Sequence, residues 1–134
     1  MKVLNLIIRQ KYFDAILAGR KVQEFREVRP TTIKKLLQLD EDGYEVEEDE
    51  NGNAQPIKYD AIQFYVGYNK DRDSALVEVV GEHCEIFVDE NNQPITYEHG
   101  RDKDGQPLVW VAEQVVYDLG KVLSHNIRDK SKKV

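Results

Sequence analysis

A single cysteine, Cys84, gives this chain nothing to pair with internally, so a disulfide framework is excluded. The three histidines, His83, His99 and His125, lie in separate segments without zinc-like spacing, and no structural metal is expected. Long apolar runs are also missing. Near the N-terminus the longest is Leu6-Ile7-Ile8, stopped by Arg9, far too short for a signal-peptide core or a membrane span. The expectation is therefore a cytoplasmic protein with no membrane partner. No glycine-rich phosphate loop occurs, and neither Ser74 nor Ser124 stands in a nucleophile-elbow context, so no cofactor is expected.

What remains is ordinary in bulk and uneven in detail. The 134 residues, 40% hydrophobic and 33% charged, suit one soluble domain with a core of its own. The net charge of -6 hides a strong asymmetry. Residues 1–38 carry nine Lys/Arg against three Asp/Glu, whereas residues 40–50 carry eight acids and no base. We read 1–127 as one domain, 40–56 as an acidic hairpin inserted in it and 128–134 as a basic polar tail. An acidic run of this kind is ordinarily a solvated loop.

Periodicity places the elements. Val3 to Arg9 reads as a strand buried on both faces, and Phe13, Ile16 and Leu17 form one apolar helix stripe over Gln10 to Ala18. Val22 to Val28 reads as a second strand ended by Pro30. Thr31 or Thr32 caps a short helix holding Ile33, Leu36 and Leu37. Later strands are expected at Ala61–Tyr68, Ala75–Val88, Leu108–Val111 and Gln114–His125, with bends at Gly81 and Gly120. Three polar clusters, 49–57, 89–95 and 102–108, each leave through Gln-Pro and an aliphatic residue, and read as hairpins. None has the acid spacing of a calcium loop. Many strands, short helices and glycine bends favour an α+β fold built on a small curled sheet or barrel.

Charge chemistry concentrates in Gly19-Arg20-Lys21-Val22-Gln23-Glu24-Phe25-Arg26. Glu24 and Arg26 are two apart on a strand and so share a face, with Lys21 at its mouth. From Tyr12 to Arg26 the chain resembles the signature of the ASCH domain: an amphipathic helix, then Gly-x-Lys, then x-x-Glu-x-Arg. The resemblance implies a small PUA-like β-barrel with one or two short helices at its mouth. It also implies an RNA- or nucleotide-binding cleft lined by Lys21, Glu24 and Arg26. A branch of small ASCH proteins hydrolyses acylated cytidine nucleosides with a Lys, a Thr three residues later and a more distal Glu. Here Lys21 is in place, but Glu24 stands where that branch has Thr.

Two uses of this segment follow. In a binding module Arg26 offers a planar fork to a phosphate or base edge, Glu24 orients it or accepts from a base amino group, and Lys21 meets phosphate. In an amidohydrolase acting on modified nucleosides, Lys21 and Glu24 are the catalytic pair. The plain reading is an exposed ion-pair ladder contributing about 0–1 kcal/mol. Tyr65 and Tyr68 either stack a base or cover one end of the barrel with wet hydroxyls. Trp110 is expected in the core. Alternation sets His83 and Glu85 on one face and Cys84, as a small buried hydrophobe, on the other.

Overall fold

A computed structural model describes residues 1–46 and 54–128. The element order is β1 (Val3–Ile8), α1 (Gln10–Leu17), β2 (Gln23–Val28), α2 (Ile33–Leu36), β3 (Ala61–Val66), β4 (Ser74–Ile86), β5 (Thr96–Arg101), β6 (Pro107–Val111) and β7 (Glu113–Asn126). Five strands form one sheet in the order β1-β3-β4-β7-β2, and β5 pairs with β6 in a second. β1 runs parallel to β3, with Val3 opposite Ala61 and Ile8 opposite Val66, while β3 and β4 are antiparallel. Neither sheet closes on itself, so the strand-rich α+β class is present without a closed barrel. By contacts the chain groups into two compact units. One comprises Met1–Glu24, Lys58–Gly81 and the residues from Tyr117 on; the other comprises Phe25–Ile57 and Glu82–Val116.

The first unit buries Leu4, Leu6 and Ile8 of β1, Phe13 and Ile16 of α1, Ile62 and Phe64 of β3, and Val77 of β4. The apolar stripe of α1 therefore faces where its spacing predicts. β1 departs from expectation, because only one of its faces is buried. Asn5 is exposed and Val3 and Ile7 are half-buried, as suits a strand at the edge of its sheet. Gly81 and Gly120 owe their identity to close approach. A Cβ on Gly81 would lie 2.8 Å from the Asp118 carboxylate, and one on Gly120 would collide with Glu78 and Val80.

In the second unit Val28, Ile33, Leu36, Leu37, Val115 and Val116 are buried. Thr32 stands at the N-cap of α2, but its hydroxyl does not cap the helix. It donates instead to Glu27 O at 3.0 Å and accepts from Arg29 N at 2.9 Å, tying off the turn after β2. One turn recurs three times. In Asp40–Tyr44, Asp89–Gln93 and Asp102–Gln106, the leading Asp Oδ1 accepts backbone N–H groups from the second and fourth residues after it. The residue in third place after it, Gly43, Asn92 or Gly105, takes positive φ. The last of these turns joins β5 to β6, and Pro107 opens its strand as a residue without an N–H should. The first lies within the acidic run, where sequence shows only charge; residues 47–53, which include the end of that run and most of the hairpin expected at 49–57, and the tail from 129 lie outside the described residues.

Three expectations need correction here. β5 is missing from the sequence reading, because Thr-Tyr-Glu-His-Gly-Arg has no apolar alternation, and all of it but Tyr97 is exposed. Trp110 is half-buried on β6 and donates its indole N–H to His99 O at 2.9 Å, so it is a half-covered strand residue and not core. Cys84 is likewise half-buried.

Candidate functional site

The site begins with the way α1 stops. Gly19, at φ 77°, sends its N–H to Ile16 O, and Arg20 sends its own to Ala15 O at 2.9 Å, the paired bonds of a Schellman motif. Lys21 N also reaches Ala15 O, at 3.1 Å. The chain thus leaves the helix by a fixed path, and Leu119 N bonding to Val22 O at 2.9 Å pins the start of β2 against β7. Side chains then alternate. Gln23 reaches Asp118 Oδ1 at 2.8 Å, while Glu24 turns inward and keeps 6% of its surface exposed.

Lys21 is held on several sides. Its ammonium donates to Gln23 O at 2.6 Å, stands 3.7 Å from Glu24 Oε2 and lies 5.7 Å from the centre of the Tyr12 ring. Lys11 lies over the same ring at 4.9 Å. The Lys21 side chain is 19% exposed, so the ion pair is shielded and not the open ladder of the plain reading. Arg26 follows two residues on along β2, half-buried, with its Nε shielded from solvent. The structure thus brings Lys21 and Glu24 together, and adds Tyr12, Gln23 and Asp118, which the motif does not single out.

Tyr65 belongs to a different neighbourhood. Tyr65 stands opposite Ser74, and the Arg72 guanidinium covers its ring at 4.1 Å while donating to Gly67 O at 2.8 Å. Beside it, buried Asp73 accepts from Gln10 Nε2 at 3.0 Å and from Arg128 N at 2.6 Å. Gln10 opens α1 whereas Lys21 lies past its end, so an eight-residue helix, about 12 Å long, separates the two clusters. Tyr68 is 85% exposed, and its ring is open to a stacking partner.

Sequence reasoning passed over Glu113 altogether. It opens β7, keeps 5% of its surface exposed and hydrogen-bonds to Glu45. Burial, with the Glu45 carboxyl beside it, pushes its pKa up to about 8, so the Glu113 carboxyl holds a proton at neutral pH. No pattern signals this, because the first turned-in residue of a strand reads as solvent-facing when it is charged. His83 and Glu85 do share a face, as alternation predicts, at 2.9 Å; His83 and Gln114 hold the Glu85 carboxyl below its ordinary value. Both are about half exposed, and their pairing is a surface one.

Among the described residues no three His, Cys, Asp or Glu gather as metal ligands, and no helix is long and apolar enough to cross a membrane. Compared with protein-family models, curated proteins and solved structures, the chain matches none.

Proposed function

We propose that the chain is a binding module of the ASCH type, on a PUA-like scaffold, which takes RNA or a nucleotide-like ligand through Lys21, Glu24 and Arg26. The observation that carries this reading is the fixed Lys21 ammonium at the helix-to-strand turn, gripped by Gln23 O and by buried Glu24. A cation already held in place loses little freedom when a phosphate arrives. Arg26, next on the same face of the strand, supplies the bidentate fork, and Glu24 accepts from a base amino group. Tyr68, 85% exposed, offers a ring on which a base can stack.

The alternative, an amidohydrolase acting on acylated cytidine-type nucleosides, asks for Lys21 within hydrogen-bond reach of a carboxylate. The Glu24 oxygen is 3.7 Å away, an ion-pair distance, and the short bond of Lys21 goes to a carbonyl. That geometry favours binding over proton relay.

Titration of short single-stranded RNAs and free modified nucleosides, with wild type beside Lys21→Ala, Arg26→Ala and Tyr68→Ala, tests the reading. Expected is RNA affinity that falls with salt and a log–log slope that drops by about one in each cation variant. Tyr68→Ala should weaken RNA binding by about 1–3 kcal/mol, the loss of one stacked base. RNA bound equally by wild type and Lys21→Ala would sink the module. Release of acid from an acylated cytidine, lost in Lys21→Ala, would put the enzyme in its place.

A further inference from the structure

The two-stranded sheet of the second unit is uneven. β5 carries Glu98, His99 and Arg101, whereas β6 reads Pro-Leu-Val-Trp-Val and has no charge. Leu108, Val109 and Val111 are nonetheless 40%, 65% and 40% exposed. β6 pairs only with β5, so among the described residues its outer edge meets no other strand. Proteins blunt such edges with charge, because an open apolar edge is a template for another strand. We propose that this edge and the groove beside it dock an extended segment of a partner protein, one in which a bulky apolar residue stands next to Lys or Arg residues.

The groove supplies the apolar half of the match. Ile33, Tyr44, Leu108, Val109 and Trp110 line a cavity of about 500 Å³, with Glu45 as the charged residue in its wall. That volume lies within the range of about 300–1,000 Å³ for drug-sized ligands, so it holds one large side chain with the backbone on either side. Tyr44 is 73% exposed and, like Val109, has apolar surface for a guest to cover.

Charge supplies the other half. Gly43 is shared with a second cavity, about 670 Å³, whose lining sets Asp40, Glu41 and Asp42 against one cation, Lys34. With Glu45, four acids face that one base across the two cavities. No ion pair compensates Glu41 or Asp42 among the described residues. The Asp40 turn, whose Oδ1 accepts from Asp42 N and Tyr44 N, fixes the loop that carries both the acids and Tyr44. A guest therefore meets apolar and acidic surface within a few residues of its length. These acids repel a nucleic-acid backbone, and two copies paired through the groove about a two-fold axis would set the acids against themselves. For a basic, apolar strand the edge hydrogen bonds and apolar burial give affinity, and the acids give selectivity.

The probes are the capped hexapeptide Val-Phe-Val-Lys-Arg-Lys and its reversed sequence, since an edge accepts a strand in either direction, with Glu in place of every basic residue as the control. Trp110 is the only tryptophan, so its emission in the full chain reports on the groove directly. At least one basic peptide should change that emission saturably, and the acidic controls should not. Val109→Ser, at an exposed position, should raise the Kd about tenfold through lost apolar burial. Asp42→Lys should raise it about fivefold at low salt and less at about 0.5 M. Methylating the alternate peptide nitrogens that face β6 should abolish binding, and methylating the other set should leave it as in the parent. No response to either basic peptide at millimolar concentration, an equal response to the acidic controls, unchanged binding by Val109→Ser, or indifference to both methylation patterns would each overturn the proposal. A dimer of the chain that Val109→Ser dissolves, or quenching of Trp110 by a short single-stranded RNA, would give the groove a different occupant and overturn it too.

Discussion

Glu24 and Glu113 are buried to nearly the same degree, at 6% and 5% exposed, and both lie on strands. They differ in the partner that the fold gives each. Glu24 faces an ammonium 3.7 Å away and is one half of an ion pair, whereas Glu113 faces the Glu45 carboxyl and keeps a proton. Burial alone therefore does not set the state of a carboxyl; the sign of the nearest charge decides whether burial is answered by pairing or by neutralisation. The same residue type thus forms an ion pair in one unit and a carboxyl–carboxyl contact in the other.

The largest effect should come from making the first site resemble the second. Lys21→Glu sets a carboxyl beside Glu24 and removes the cation that compensates it. Loss of one partner from a buried pair costs about 3–5 kcal/mol, and the partial exposure of Lys21 places the expected loss near the lower bound. The loss should shrink as pH is lowered, because a proton shared between the introduced carboxyl and Glu24 relieves the repulsion. Urea denaturation at pH 7 and pH 4.5 measures both. A variant as stable as wild type at pH 7 would mean that the Lys21–Glu24 pair is solvated and contributes nothing.

The converse change is smaller and has a pH signature. The folded Glu113 carboxyl binds its proton more tightly than the unfolded one, with a pKa near 8 against an ordinary 4.5. Between those values the native state holds more protons, so stability falls as pH rises. The contribution is fully present below about pH 4.5 and has gone by about pH 8. Glu113→Gln should flatten this part of the stability profile. Glu45→Lys, at an exposed position, should flatten it too by giving Glu113 a cation, with about 1 kcal/mol gained at pH 8. Profiles of the same slope in wild type and Glu113→Gln would show that Glu113 does not hold the proton.

This contrast marks how far sequence carries. The helix stripe of Phe13 and Ile16, the Gly19 stop and the face shared by Glu24 and Arg26 follow from periods of 3.6 and 2, which are local properties. The meeting of Lys21 with Glu24 was legible for the same reason, since three residues and one turn separate them. Glu113 and Glu45 are 68 positions apart, and no local rule joins them. Asp118 and Asp73 were missed in the same way: Gln23 and Gln10 reach them from 95 and 63 positions off. β5 was lost for a different cause, because a two-stranded sheet exposed on its faces needs no apolar alternation.

The smallest expected effect concerns Tyr12, which sharpens the charged side of the comparison. Two lysines, Lys21 at 5.7 Å and Lys11 at 4.9 Å, lie over its ring, and the ring is 43% exposed. A cation over an exposed aromatic face contributes about 0.5–1 kcal/mol. Tyr12→Leu keeps apolar bulk and removes the quadrupole, so it should cost about that much. Tyr12→Phe keeps the quadrupole and should be neutral. The diagnostic readout is coupling: in a double-mutant cycle with Lys21→Met, Tyr12→Leu should cost less than it does alone, while Tyr12→Phe should show no coupling. Equal costs for Leu and Phe would assign the effect to the hydroxyl, and the Tyr12 ring would then have no part in holding Lys21.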